Sequence, residues 1–305
     1  IGMIGSAILR AEGAAFHAML VTMGPGFIAM IIDPIFIVAF NMGLDGAAIT
    51  FWFSRISMAL IAIIFVVGKH NLMARPSLRH IKKTTNVFSA IAAPTILTEL
   101  ATPFGSYLLT TVISGFGDSA VAAWAVVNRL TVLAFGGIFS LSGAVGGIFG
   151  QNFGAGKFER LHSTYRDALI FCLVYPTGIW VMLMLLNGFI ATSFGLDKQG
   201  AQILRAFTHV GAAAFTFTGM MFVANAAFNS LGRPMYSTIL NWVREGVVSL
   251  PLAMWFAVRY GATGVIYSQA LVAFVIGMIA TVWGLAFVLK RSKQMPKEQA
   301  RSRIV

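Results

Sequence analysis

Charge is what this sequence has least of. Only 10% of its 305 residues are Asp, Glu, Lys or Arg, where a water-soluble domain carries about 25%. Acids are scarcer than bases, 10 against 22. A chain that is 58% hydrophobic, with a mean hydropathy of +0.82, cannot cover its surface with polar groups, which excludes a soluble globular protein. There is one cysteine, Cys172. It excludes an internal disulfide, and its expected role is small apolar packing. The 5 histidines are scattered and show no metal-ligand spacing. No Ser/His/Asp set and no acid pair points to an enzyme, and no cofactor is expected. Apolar runs are continuous rather than alternating, and they far exceed the strand length of a barrel, which excludes a membrane β-barrel. No signal peptide or initiator Met is visible, and the expectation is an N-terminally truncated chain. The net charge of +12 lies mostly in loops and the tail, so nucleic acid is not an expected partner.

The apolar runs are long enough to span lipid, which takes about 20 residues. Eight segments qualify, roughly 17–41, 46–67, 86–115, 118–150, 165–193, 204–230, 236–258 and 262–289, and residues 1–9 read as the end of one more helix. The fold class is therefore all-α, a polytopic membrane helix bundle. With eight spans, Lys198, Arg205 and Arg259 fall on one side, while the loop 68–85, Arg10, Lys157, Arg160, Arg166, Arg233 and the basic tail fall on the other. The positive-inside rule makes the second side cytoplasmic and places the C-terminus there.

Six charges sit inside the spans: Asp33, Arg55, Glu99, Arg129, Arg244 and Glu245. A charge at mid-depth costs at least about 2.5–3.5 kcal/mol, so it usually faces a cavity or a partner. Asp33 and Arg55 are equidistant from the short loop at Leu44. They are expected at one depth, as a structural ion pair or a gate. Glu99 lies between Pro94 and Pro103. It is expected either to bind a proton or cation, or to pair with Arg129. Arg244 and Glu245 are adjacent and point about 100° apart on a helix, so they are not expected to pair with each other. Asn128, Asn225, Asn229, Asn241 and Gln269 are expected to hydrogen-bond between helices. Asn225 and Asn229, one turn apart, are candidates to line a cavity.

The run Gly150-Gln-Asn-Phe-Gly-Ala-Gly-Lys157 is not a phosphate loop. It lacks the required Gly-Lys-Ser/Thr spacing and a preceding strand, and it reads as a tight turn closing a helix. Gly143-x-x-x-Gly147 and Gly146-x-x-x-Gly150 predict a close helix neighbour. An internal repeat is also visible. Gly13, Asp33-Pro34 and Gly43-Leu-Asp-Gly46 recur as Gly232, Leu250-Pro251 and Gly261-Ala-Thr-Gly264 at a near-constant offset. Four spans precede the second copy and only residues 1–9 precede the first. If the halves are equal, the intact protein has six plus six spans.

In order along the chain, Pro94 with Glu99, Gly115-Phe-Gly117, Ala122-Ala123, Asn128, the Gly150–Lys157 run, and Asn229-Ser-Leu-Gly-Arg-Pro234 before Pro251 resemble the multidrug and toxic-compound extrusion (MATE) transporters. The resemblance implies two six-helix lobes, of which about helices 5 to 12 are present. On that alignment, residues 1–85 are the remainder of the N-lobe with the inter-lobe loop, 86–290 are the C-lobe, and 291–305 are a basic tail. It implies a monomeric, multi-pass protein of a bacterial inner membrane that exports small organic cations in exchange for H⁺ or Na⁺. Coupling is then expected at Glu99, Arg129 and Asn128, and a substrate cavity at Asn225, Asn229, Glu245 and Gln269. Two positions depart from the family pattern: Thr102 stands at the seventh-helix acid, with Glu99 about one turn earlier, and Met220 at the tenth-helix acid. The alternative is a lipid-linked oligosaccharide flippase of the same broad superfamily, which would want a cavity rich in Arg and Lys.

Overall fold

The computed structural model describes residues 1–72 and 77–302. Arg75 and Arg303 of the expected basic loop and tail lie outside the described residues, as do the side chains of Arg79, Lys82, Lys83, Lys297 and Arg301. All regular structure among the described residues is helical. The helices are α1 (Gly2–Ala11), α2 (Ala15–Pro34), α3 (Gly43–Ile63), α4 (Leu78–Ser114), α5 (Asp118–Ala134), α6 (Gly136–Gly154), α7 (Phe158–Ser193), α8 (Lys198–Ala206), α9 (Ala212–Ser230), α10 (Pro234–Trp242), α11 (Ser249–Tyr260) and α12 (Ala262–Ser302). Wide π-helical turns extend α2 (Ile35–Ala39) and α3 (Ile64–Lys69), join α8 to α9 (Phe207–Gly211), and join α10 to α11 (Val243–Val248).

Six helical segments among the described residues are long and apolar enough to cross a membrane, or seven when the bent pair α5–α6 counts as one span. The protein is therefore a multi-pass membrane protein. The bend, 45°, falls at Phe135 before Gly136-Gly137, where one straight span over 118–150 is expected. The Ala134 carbonyl beside the break accepts from the Tyr175 hydroxyl at 2.8 Å, so the bend leaves that group satisfied. The expected span 236–258 is helical from Pro234 to Tyr260 but is not among those six or seven. It carries a polar face, Ser237, Asn241, Glu245 and Ser249, at a four-residue spacing, and that face is turned inward and buried. The expected turn at Gly150–Lys157 is shorter than its glycines suggest. Helix α6 continues to Gly154, and only Gly156 (φ +69°) takes the left-handed conformation. Helix α12 continues to Ser302 rather than ending near 289.

Two compact units divide the chain, Ile1–Thr84 and Thr85–Val305. In the first, α1, α2 and α3 close on Leu9, Ala18, Val21, Ala62 and Val66. In the second, α9 is the hub, packed on α12, α6, α7 and α10. In its most apolar stretch the α8–α9 span is 67% buried, against 17% for α7, which presents most of its apolar surface outward. Such outward apolar surface is what lipid solvates.

The repeat has a structural counterpart in each unit. Gly13 (φ +88°) and Gly232 (φ +83°) occupy the same position in the two copies and both have positive φ, as do Gly43 (φ +53°) and Gly261 (φ +65°). The second glycine of each Gly-x-x-Gly pair lies on the preceding helix's backbone. A Cβ on Gly46 would strike the Phe36 carbonyl, and one on Gly264 the Phe256 carbonyl. Any side chain there would push the hairpin open, so both copies need glycine.

Candidate functional site

A cavity of about 120 Å³ lies within the second unit, between α5, the Phe207–Gly211 turn, α9, the Val243–Val248 turn and α12. Its polar lining comprises Asn128, Thr131, Thr218, Arg244 and Gln269, and its aromatic lining comprises Trp124, Phe207 and Phe215. Arg244 is the one charged residue among those that line it. Trp124 is held by its indole N–H, which donates to Thr110 of α4 at 3.2 Å. Phe215 stacks on Phe135 at 4.2 Å between centroids, just where the α5–α6 span bends. Both π-helical turns that border the cavity place side chains in it, Phe207 from one and Arg244 from the other. Such turns recur at functional sites.

Glu245, expected in the substrate cavity, is not among the residues that line it and reaches it only through its neighbour Arg244. It is 8% exposed, and its carboxylate lies 3.5 Å from the Arg244 Nε. The expectation that these neighbours do not pair is corrected. In the wide turn consecutive side chains diverge less than in an α-helix, and the long arginine folds back onto the acid. Glu245 also rests against Gly105 of α4, where a Cβ would collide with its carboxylate. Gly105 is thus the cradle for the acid, a role with no signal in the sequence beyond the absence of a side chain. Helix α4 is fixed in that position by three polar ties. The Trp242 indole N–H donates to the Leu97 carbonyl at 2.9 Å, Thr238 donates to the Pro94 carbonyl at 2.8 Å, and Thr98 and Thr238 share a hydroxyl contact at 2.9 Å.

Those ties decide where Glu99 points. They turn Pro94, Thr98 and Ala101 inward. Glu99, one residue and about 100° from Thr98, projects from the surface of its unit and is exposed, as is Arg129. No Glu99–Arg129 ion pair forms among the described residues; the ion pairs found there are Arg244–Glu245 and Arg166–Asp167. The expected Asp33–Arg55 pair is likewise not formed. The Arg55 guanidinium lies 4.7 Å over the ring of Phe51, one turn away on its own helix. Asp33 directly precedes Pro34 and a wide turn, so counting residues from the loop did not fix its direction. Asn128 and Gln269 do line the cavity. Asn225 and Asn229 do not. Their carboxamide oxygens are buried without a hydrogen-bond partner among the described residues, while the Asn225 backbone carbonyl accepts from the Ser237 hydroxyl at 3.2 Å. Of the glycine-spaced motifs in α6, Gly146 makes the close approach, accepting from the Ser230 hydroxyl at 2.8 Å.

The second unit is thus a membrane helix bundle that encloses a polar, aromatic-walled chamber. The MatE family model matches residues 94–255, more than half of the chain, and this protein belongs to that family, the multidrug and toxic-compound extrusion transporters. Among relatives, it is 26% identical over 285 residues to an FAD transporter of Shewanella oneidensis, covering 90% of this chain and 62% of the relative. It is 23% identical over 265 residues to the multidrug export protein MepA of Staphylococcus aureus, covering 85% and 57%. Among solved structures, a MATE protein in the straight conformation matches with TM-score 0.85 at 22% identity, over 95% of this chain and 66% of that one. The Vibrio cholerae MATE transporter VcmN in the bent form matches with TM-score 0.81 at 22% identity, over 94% and 65%. The chain spans about three fifths of the length of the curated relatives it matches.

Proposed function

We propose that the full-length protein is a secondary antiporter that exports small organic molecules by alternating access, in exchange for H⁺ or Na⁺, and that the Arg244–Glu245 pair is its ionisable element in the second unit. The observation that carries this reading is the position of that pair. Glu245 is buried against Gly105 and pairs with Arg244, which lines the cavity, and both stand on a wide turn. A cation or proton arriving at Glu245 competes with Arg244 for the same carboxylate, and its arrival frees the guanidinium to reorient in the cavity. Drug and organic-cation cargo is supported by relatives such as MepA, and by the aromatic wall of Trp124, Phe207 and Phe215, since aromatic faces attract cations.

A second cargo class is favoured by a specific observation. The charge that lines the cavity is a cation, Arg244, beside carboxamides and stacked aromatic rings. That chemistry suits an anionic, ring-bearing cargo such as the flavin dinucleotide of the Shewanella relative. The flippase alternative has less support, because a single arginine is far from a basic cavity.

The experiment expresses the full-length gene in efflux-deficient cells and follows ethidium and flavin export while the H⁺ or Na⁺ gradient is collapsed in turn. Ethidium export that stops with one gradient supports cation antiport, and flavin export without ethidium export supports the second class. Glu245→Gln is expected to abolish gradient-dependent export, while Glu99→Gln keeps it. The reverse result transfers the coupling role to Glu99.

A further inference from the structure

At the far end of α10 and α12 from the Arg244 cavity lies a different site, of about 220 Å³, lined by Arg233, Tyr236, Phe287, Lys290 and Arg291. We infer that it binds the phosphate headgroup of an anionic phospholipid at the membrane boundary.

Three observations converge on this ligand. The first is charge. Three cations surround the cavity, and no carboxylate forms an ion pair with any of them among the described residues. Unneutralised cations gathered at one spot repel one another, and an anion relieves that repulsion. The second is depth. Arg233 immediately precedes the first residue of α10, and Lys290 and Arg291 follow the apolar run of α12 that ends at Leu289. All three therefore sit where hydrocarbon gives way to headgroups, the level at which basic pockets between helices hold lipid phosphates. The third is the floor. Tyr236 lies 4.8 Å from Trp283 and 5.9 Å from Phe287 between centroids, Phe228 packs beneath them, and the Arg291 guanidinium lies 5.7 Å from the Phe287 centroid. Rings therefore fill the space between α10 and α12 below the charges. On either flank Met235, Ile239 and Val282 are exposed apolar side chains, a surface along which an acyl chain can run. A free phosphate would use the cations alone. A phospholipid uses the cations, the amphipathic rings and the apolar flanks together.

Each Lys or Arg near an anionic membrane surface strengthens attraction about fivefold, so three removed together predict a loss of roughly two orders of magnitude. The purified chain, in nanodiscs of phosphatidylcholine doped with phosphatidylglycerol, is released and its retained lipids are counted by native mass spectrometry. Wild type is expected to retain phosphatidylglycerol over phosphatidylcholine. The triple variant Arg233→Gln, Lys290→Gln, Arg291→Gln is expected to lose that preference at least tenfold, and the charge-retaining Arg233→Lys, Lys290→Arg, Arg291→Lys to keep it. The double variant Lys157→Gln, Arg160→Gln, at a basic cluster that also carries Glu159, removes general surface charge and is expected to lose less of the preference than the triple Gln variant. Slow alkylation of the buried Cys172 in each variant reports an intact fold. Undiminished phosphatidylglycerol in the triple Gln variant overturns the inference, as does an equal loss in the double variant or in the charge-retaining one. Displacement of the lipid by millimolar inorganic phosphate overturns the lipid assignment in favour of a free-anion site.

Discussion

At the scale of single residues, a glycine and an acid illustrate how much a side chain's meaning depends on its neighbour. Gly105 has no motif around it, yet Glu245 occupies the space its Cβ would take. Gly105→Val is expected to expel the carboxylate, separate it from Arg244 and abolish gradient-driven export, with the protein still inserted. Breaking a buried pair by removing one partner costs about 3–5 kcal/mol, because the other charge is left uncompensated. Glu245→Gln should therefore lower stability as well as transport, and Glu245→Gln with Arg244→Gln should recover part of the stability but none of the transport. Detergent thermal melts beside efflux assays check both. A second acid reads differently because it lies outside the spans. Asp197 caps α8, accepting from the Gly200 amide at 2.7 Å, and it also accepts from the Ser119 hydroxyl. The Ser119 bond first, and the Gly200 amide second, hold its carboxyl below the ordinary aspartate value. A depressed folded value means that the stabilisation is complete above the unfolded pKa, about 3.9. It is lost as pH falls through the lower folded value. Asp197→Ala should accordingly lower the melting temperature at pH 7, and the gap from wild type should close as the pH falls below the ordinary aspartate range.

At the scale of elements, the wide turns carry the site. Pro251 has no N–H for the Val247 carbonyl, four residues earlier, so the ladder is already broken where the Val243–Val248 turn ends. That winding brings Arg244 and Glu245 together and turns Arg244 to the cavity. Pro251→Ala restores a donor and is expected to favour regular α-winding, which swings the two side chains apart. Transport rate should fall while far-ultraviolet circular dichroism stays unchanged. An increase in rate would show that the turn is not needed. The same elements explain which sites were legible in the chain. Asn128 and Gln269 could be picked out because a carboxamide in lipid needs a partner, and both reach the cavity. Asn225 and Asn229 satisfied the same rule and lie outside it, since one-dimensional spacing ranks polarity but does not choose between two buried faces of a central helix. The Asp33–Arg55 and Glu99–Arg129 pairings failed for a related reason. Residue counting gives depth, whereas pairing also needs rotation about the helix axis, which Pro34 and the ties of α4 to α10 set.

At the scale of the whole molecule, the second unit is held by polar ties across an apolar core. Tyr165 is fully buried and donates to the Thr281 carbonyl at 3.0 Å, joining α7 to α12. Its hydroxyl fills the space above Gly284, where a Cβ would meet both it and Ala224. Gly284→Ala is expected to destabilise by about 1–3 kcal/mol through overpacking. Tyr165→Phe should cost about 0.6 kcal/mol, the average for an interhelical hydrogen bond in a membrane protein. Cys172, fully buried in the same core, supplies the readout: its alkylation rate should rise in Gly284→Ala more than in Tyr165→Phe.

Composition alone determined that this chain lives in lipid, because no arrangement of so few charges could keep such a surface in water. The order of its glycines and prolines determined the repeat and the family, because positive-φ turns and broken ladders need those residues at those places. The tertiary structure decided which ionisable groups meet. Where an acid points depends on the winding and rotation of its helix against neighbours distant in sequence, and in this fold those contacts bury Glu245 beside Arg244 and leave Glu99 on the surface of its unit.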